Sequence, residues 1–147
     1  MTITSTAFES NTLMSSKYTC DGANINPPLS FHDIPKTAKS LLLLVDDPDA
    51  PHGTWRHWSV YNMPPTTNGI PEGSKPESGA EGITDFGTVG YGGPCPPSGS
   101  HRYFFKLYAL DIMLDLPEKP TFNEIENAIQ NHVVVKAELV GIYSRSQ

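Results

Sequence analysis

The chain has 147 residues, with ten Lys and Arg against sixteen Asp and Glu, for a formal net charge of -6. This length suits one domain over residues 1–147 with a core of its own. The acidic balance argues against binding to nucleic acid or to an anionic membrane surface, because proteins that bind either one carry clustered Lys and Arg. We therefore expect a globular protein with neither partner.

Signals for export are absent from the start of the sequence. Residues 1–14 lack the basic start and apolar run of a secretory signal. The longest apolar run, residues 41–45, is far shorter than the ~20 residues that span a bilayer. We expect a cytoplasmic protein. Cys20 and Cys95 are too few for a cysteine-only zinc site or a disulfide scaffold, and they are either two reduced thiols or one bridge.

The predicted elements are mostly strands, because 14 prolines and 12 glycines interrupt the chain. Short runs rich in apolar, aromatic and β-branched residues predict strands in five segments. In chain order they are residues 2–8, 40–45, 55–62, 101–110 and 133–143. His57 shares a strand face with Trp55, and His101 shares one with Tyr103, since strand side chains alternate with period two.

One helix is predicted near the end of the chain. Thr121 and Glu124 form a capping-box pattern, and apolar residues follow at helical spacing to about His132. Residues 63–100, dense in Gly, Pro and Ser, are expected to form long loops that are either functional or mobile. These elements favour a mostly β fold, a β-sandwich or open β-barrel with a peripheral helix.

Two segments and one strand residue, His57, are candidates for binding. In the acidic turn 46–51, prolines hold the preceding residues extended, so carboxylates point in fixed directions, and the Ala50–Pro51 bond is a candidate for the cis form. The loop 90–103 combines glycines that expose N–H groups with stiffening prolines, which suits an anion. A plain acidic turn, a structural His57 and an ordinary loop remain alternatives.

Taken together, these segments resemble the phosphatidylethanolamine-binding proteins, also called Raf-kinase-inhibitor-like proteins, in their bacterial and archaeal branch. The resembling segments are residues 18–31, 46–51, 55–58, 61–64, 85–87, 91–111 and 137–145. The resemblance implies a β-sandwich with Greek-key connections and one or two small helices. It also implies a shallow cavity at one end that accepts phosphoryl head groups and other small anions.

The resemblance further implies a set of ligand-binding residues. It assigns a cis bond to Pro51 and backbone amides for the ligand to the glycine–proline stretch. We hypothesise that an imidazole N–H of His57 or His101 and the hydroxyl of Tyr103 donate to the anion, while Asp47 accepts from the other ring nitrogen. The full set is Asp47, Asp49, Pro51, His57, Gly92, Gly93, Pro94, His101 and Tyr103.

Neighbouring residues raise further expectations. Arg102 alternates to the face opposite His101, so we expect it in a structural ion pair with Asp85 or an aspartate of the acidic turn. Arg56 stands where a smaller or apolar residue is expected, and it would add positive charge near the ligand or at a dimer surface. The resemblance also implies that the segments containing Cys20 and Cys95 lie near each other, so a disulfide bond between them stays one of the two alternatives.

The functional expectation is a non-catalytic protein that holds a small anion or phosphoryl group. The alternative is a protease or kinase inhibitor that contacts its target through an exposed loop such as residues 68–82. Gating by a C-terminal helix, as in eukaryotic members, is doubtful because the sequence ends just past its last strand. We expect no catalysis, metal or cofactor, because no G-x-S-x-G or H-E-x-x-H pattern is present. A homodimer is a resemblance-based expectation.

Overall fold

The computed structural model describes residues 1–145, and its strands form two sheets. The larger sheet has the strand order β2-β9-β8-β4-β5-β7 and the smaller has the order β1-β3-β6. Strand β2 runs parallel to β9, and the other paired strands are antiparallel. The strands are β1 (Thr2–Thr4), β2 (Thr12–Leu13), β3 (Leu29–His32), β4 (Ser40–Asp47), β5 (Trp55–Met63), β6 (Gly69–Ile70), β7 (Ala80–Glu81), β8 (Ser100–Leu110) and β9 (Val133–Ser144); a 3-10 helix covers Ser16–Tyr18 and α1 covers Phe122–Ala128.

Strand β4 is buried along its whole length because the larger sheet is covered on both faces. Leu41 and Leu43 pack toward the smaller sheet, whereas Leu42 and Leu44 pack toward α1. A run of apolar residues without polar alternation is typical of a strand buried on both sides. The prediction of a mostly β, two-sheet fold with a small peripheral helix is therefore confirmed.

The helix begins as predicted and ends early. The Thr121 hydroxyl accepts from the backbone N–H of Glu124 at 3.1 Å, and the Glu124 carboxylate accepts from the Thr121 N–H at 3.0 Å. This capping box is the predicted one. The helix stops at Ala128 rather than near His132, because Asn131 adopts a left-handed backbone with φ of 68°.

Two other boundaries differ from the prediction. The first strand ends at Thr4, because its pairing with β3 stops there and Phe8 turns into the core. The predicted loop region 63–100 contains β6, β7 and an isolated bridge between Ile83 and Val89. No helix within residues 1–145 is long and apolar enough to cross a membrane.

The order of the central strands brings the candidate residues together. Strand β4 lies between β8 and β5, so the end of β4 at Asp47 meets the start of β5 and the start of β8. Asp47 pairs with Trp55, and Asp46 pairs with Phe104. The acidic turn, His57 and His101 therefore meet at one end of the larger sheet.

Candidate ligand-binding site

A cavity of about 340 Å³ opens at this end of the sheet. Five of the nine predicted ligand-binding residues line it, and four do not. A groove of about 560 Å³ beside β6 is larger, but its described lining residues include no histidine and its one carboxylate, Glu77, is exposed. We therefore assign the candidate site to the cavity of about 340 Å³. It is lined by Asp47, Ala50, Pro51, Trp55, His57, Phe86, Cys95, Pro96, Pro97, His101 and Tyr103.

His101 and Asp47 form a fixed pair in the wall. The Nδ1 atom of His101 lies 2.7 Å from Oδ2 of Asp47, and both side chains are buried. The other carboxylate oxygen of Asp47 accepts from the backbone N–H of Asp49 at 2.8 Å. Because both oxygens are engaged, Asp47 orients His101, and the Nε2 atom of that ring remains for a ligand.

His57 is oriented by the backbone of the glycine loop. Its Nδ1 atom donates to the carbonyl of Gly92 at 2.6 Å, since a carbonyl only accepts. Burial lowers the pKa of His57, although the hydrogen bond to Gly92 and nearby carboxylates oppose this shift. The ring therefore favours its neutral form, with Nε2 left to accept or, once protonated, to donate.

Tyr103 lines the cavity, and its hydroxyl group has no hydrogen-bond partner. Its side chain is 1% exposed, and its oxygen is one of two buried side-chain polar atoms in the described chain that have no hydrogen-bond partner. The ring of Tyr103 lies edge-on to the ring of His57, with 5.3 Å between the ring centroids, and stacks on the ring of His101, with 6.4 Å between the centroids. Burial and the charge of Asp47 raise the pKa of Tyr103, so the hydroxyl stays protonated and able to donate.

Asp49, predicted to bind the ligand, is instead engaged by Arg102. Its carboxylate accepts from Nε and Nη2 of Arg102 at 2.9 and 2.8 Å and from the Arg102 backbone N–H at 3.0 Å. These bonds lower the pKa of Asp49 to about 2. The expected ion pair of Arg102 with an aspartate of the acidic turn is confirmed, and it ties that turn to β8.

The amides of the glycine loop point into the protein rather than into the cavity. The N–H of Gly92 donates to the carbonyl of His57 at 3.0 Å, and the N–H of Gly93 donates to Oδ1 of Asn24 at 2.8 Å. Pro94 has no N–H to offer. A Cβ on Gly93 would lie 2.2 Å from the carbonyl oxygen of Tyr18, so this glycine permits close packing. The loop thus supports His57 from behind.

The backbone at Pro51 differs from the expectation. The described residues contain no cis peptide bond, so the predicted cis form of Ala50–Pro51 is wrong. Pro51 nevertheless lines the cavity. Arg56 also differs, because its guanidinium binds Asn123 and Glu126 of α1 on the other side of the sheet. It adds no positive charge to the cavity.

Sequence reasoning missed the apolar part of the site. Trp55 and Phe86 are 38% and 42% exposed, and their rings meet edge to face at 5.5 Å at the cavity mouth. The sequence signal that could have placed Trp55 in the site is its position on the same strand face as His57. Phe86 lies in a loop, and no sequence pattern predicted that this loop reaches the cavity. Cys20 and Cys95 form a disulfide, so the alternative of two reduced thiols is wrong.

No group of three or more His, Cys, Asp and Glu side chains in residues 1–145 is arranged to hold a metal ion. The polar side of the cavity consists of two imidazole rings, a hydroxyl group and one carboxylate already paired with an imidazole. The hydroxyl group, and each imidazole once it is protonated, can donate hydrogen bonds to a small oxyanion.

Known proteins are similar to this chain in sequence and in fold. The sequence model of the phosphatidylethanolamine-binding protein family matches residues 4–144. The chain belongs to the phosphatidylethanolamine-binding protein family. A UPF0098 protein of Methanothermobacter thermautotrophicus is 47% identical over 150 residues, which cover 99% of each chain.

Solved structures of this family agree with the fold. A phosphatidylethanolamine-binding protein homologue from Chlamydia trachomatis superposes with a TM-score of 0.94 at 41% identity, over 99% of this chain and 97% of that one. YbcL of Escherichia coli, described as a member of the mammalian family, gives 0.91 at 28% identity, over 99% and 98% of the two chains. The predicted family and fold are confirmed.

Proposed function

We propose that this protein binds a small anionic or phosphoryl group in the cavity at the end of the larger sheet and does no chemistry on it. The observation that carries the proposal is that Tyr103, which lines the cavity, has a buried hydroxyl group without a hydrogen-bond partner. A buried polar group without a partner costs free energy, so its retention is explained by a ligand that supplies the partner.

Once they are protonated, the two histidines add donors for the anion. The Nδ1 atoms of His57 and His101 are held by a carbonyl and a carboxylate, so both Nε2 atoms are left for the ligand. A protonated imidazole gives a charge-assisted hydrogen bond, the stronger kind. The described lining residues include neither lysine nor arginine, so the anion is held by hydrogen bonds and imidazole charge rather than by a strongly basic surface.

The mouth of the cavity suits the organic group that carries the anion. Trp55, Phe86, Pro96 and Pro97 present apolar surface beside the donors. An aromatic or aliphatic substituent would pack there while its oxyanion reaches Tyr103. The lining residues within the described part of the chain include no serine or threonine, and Cys95 is in a disulfide, which supports binding rather than covalent catalysis.

Calorimetric titration with sulfate and with phenyl phosphate tests the proposal. We expect saturable binding that weakens about tenfold or more in His57→Asn, because one charge-assisted hydrogen bond is lost. The asparagine amide can still donate to the Gly92 carbonyl, so the loop is kept. The matched control is His32→Asn, which changes an exposed histidine on β3 and should leave affinity unchanged.

A pH series with sulfate and a comparison of two phosphate esters test the proposal further. Sulfate keeps its charge between pH 5 and 8, so stronger binding at lower pH reports protonation of the protein, as expected for a buried His57 with a lowered pKa. Phenyl phosphate should bind more tightly than methyl phosphate because its ring packs against Trp55 and Phe86. If the unmodified protein binds none of these anions at millimolar concentration, the proposal is wrong.

A further inference from the structure

The Cys20–Cys95 disulfide joins the cavity wall to a distant part of the chain. It connects the segment after the 3-10 helix to the loop before β8, across a sequence separation of 75 residues. Both cysteines are exposed, and Cys95 lines the cavity. A reagent in solvent can therefore reach the bond beside the ligand site.

Hydrogen bonds hold the loop before Cys95. The hydroxyl of Tyr91 donates to the carbonyl of Tyr18 at 2.8 Å, and the N–H of Cys20 donates to the carbonyl of Pro94 at 3.0 Å. With the bond from Gly93 to Asn24, these contacts fix the loop as far as Pro94. They do not involve the sulfur atoms, so we expect them to persist when the disulfide is broken.

The segment 95–99 lacks such support. None of the hydrogen bonds among the described residues involves residues 95–99, and strand pairing resumes only at Ser100 with Ser144. Apart from the peptide bonds of the chain itself, the disulfide is the covalent link between this segment and the rest of the described structure. The same segment carries Pro96 and Pro97, which form one wall of the cavity.

A cationic and an anionic group lie beside the Cys20 sulfur, and the Oδ1 atom of Asp21 is the anionic one, at 4.0 Å. The Nη2 atom of Arg145 lies 3.6 Å from Sγ of Cys20, and the Asp21 carboxylate holds this guanidinium at 3.0 Å. A donor at this distance can stabilise a developing negative charge on sulfur, and a stabilised thiolate leaves faster in exchange.

We propose that Cys20–Cys95 is a reversible thiol–disulfide exchange site that controls the neighbouring cavity. A thiolate of a dithiol reductant attacks Sγ of Cys95, the S–S bond breaks, and its electron pair leaves on Cys20, which takes up a proton. The second thiol of the reductant then attacks the mixed disulfide and releases Cys95. The protein gains two electrons and two protons, and the dithiol becomes a disulfide.

Reduction loosens one wall of the cavity and leaves the fold in place. The segment 95–99 loses its tie, whereas the hydrogen bonds up to Pro94 and the pairing of β8 remain. A ligand must then order this segment when it binds, which weakens affinity. This consequence for binding rests on the proposed function, whereas the exchange reaction and the loosening of the segment do not.

The test compares the oxidised full-length protein with the same protein treated with dithiothreitol in the absence of denaturant. We expect a gain of two alkylation sites by mass spectrometry and amide NMR shift changes concentrated in residues 94–101. Phenyl phosphate should bind about tenfold more weakly to the reduced protein, and reoxidation should restore the affinity. The matched control, Cys20→Ser with Cys95→Ser, should bind weakly and be insensitive to dithiothreitol.

The outcomes separate this proposal from the proposed function. If the oxidised protein binds no anion but reduction still perturbs residues 94–101, the proposed function fails and the exchange site stands. A bond that resists dithiothreitol, a reduced protein that keeps full affinity, or reduction that unfolds the whole domain by circular dichroism would each overturn the inference.

Discussion

Replacing Tyr103 by phenylalanine should stabilise the free protein while weakening its ligand binding. The substitution removes one oxygen and keeps the ring, whose contacts with His57 and His101 involve its faces and edges. In the free protein that oxygen is buried and has no partner. A buried polar atom left unsatisfied costs about 1–3 kcal/mol, so Tyr103→Phe should raise the free energy of unfolding by about 1 kcal/mol or more.

A matched substitution should have the opposite sign. The hydroxyl of Tyr18 donates to the Glu72 carboxylate at 2.6 Å. Tyr18→Phe should therefore lower the free energy of unfolding by about 1 kcal/mol, because it removes a hydrogen bond to a charged acceptor. In a domain of this size, 1 kcal/mol moves the melting temperature by about 3 °C, which urea titration and calorimetry both resolve.

Ligand binding supplies the other half of this prediction. If the Tyr103 hydroxyl donates to the anion, Tyr103→Phe weakens phenyl phosphate binding by about fivefold while the protein melts at a higher temperature. A stability gain with unchanged affinity would mean that the hydroxyl does not meet the ligand. A loss of 1 kcal/mol or more in the free energy of unfolding would refute the reasoning, since the oxygen would then have a stabilising partner.

Three further predictions concern stability. Replacing Cys20 and Cys95 together by alanine should lower the free energy of unfolding by about 4.5 kcal/mol, the loop-closure value for a separation of 75 residues; urea titration measures this, and a loss below about 1 kcal/mol would contradict it. Because burial lowers the pKa of His57, stability should fall as the pH drops below about 6.5, the usual histidine value; His57→Asn should flatten that slope, and an identical slope in the variant would assign the effect elsewhere. Because Arg102 lowers the pKa of Asp49 to about 2, the stability from this pair is present above pH ~4 and lost as the pH falls toward 2; Asp49→Asn should show less loss in melts over that range, and equal loss would exclude the pair as its source.

Several expectations from the sequence stay predictions. Cytoplasmic location, a homodimer, the absence of catalysis, metal and cofactor, and inhibition of a protease or kinase through residues 68–82 each need a separate measurement. Sedimentation and protease assays with and without anion would address the dimer and the inhibitor alternative.

The histidines and tyrosine of the cavity could be found from the sequence because strand periodicity determines their faces. His101 and Tyr103 are two apart on β8, so they point the same way whatever the rest of the fold does. Asp47 follows a buried apolar run, which indicates the end of a strand. The capping box at Thr121 is equally local, and it was predicted to the residue.

The partners of these residues required the tertiary structure. Asp49 and Arg102 are 53 residues apart, and only the pairing of β4 with β8 brings Asp49 to Arg102 rather than to a ligand. The amides of Gly92 and Gly93 turn inward because β5 and the segment near Asn24 supply acceptors.

The sequence by itself determined the mostly β class, the helix start, and the faces that carry His57, His101 and Tyr103, because these depend on periodicity and on neighbours within a few residues. The tertiary structure alone decided which polar atoms are already satisfied, that Cys20 and Cys95 are joined, and that Tyr103 keeps a free hydroxyl. Hydrogen-bond satisfaction depends on atoms far apart in the chain, so no local pattern encodes it.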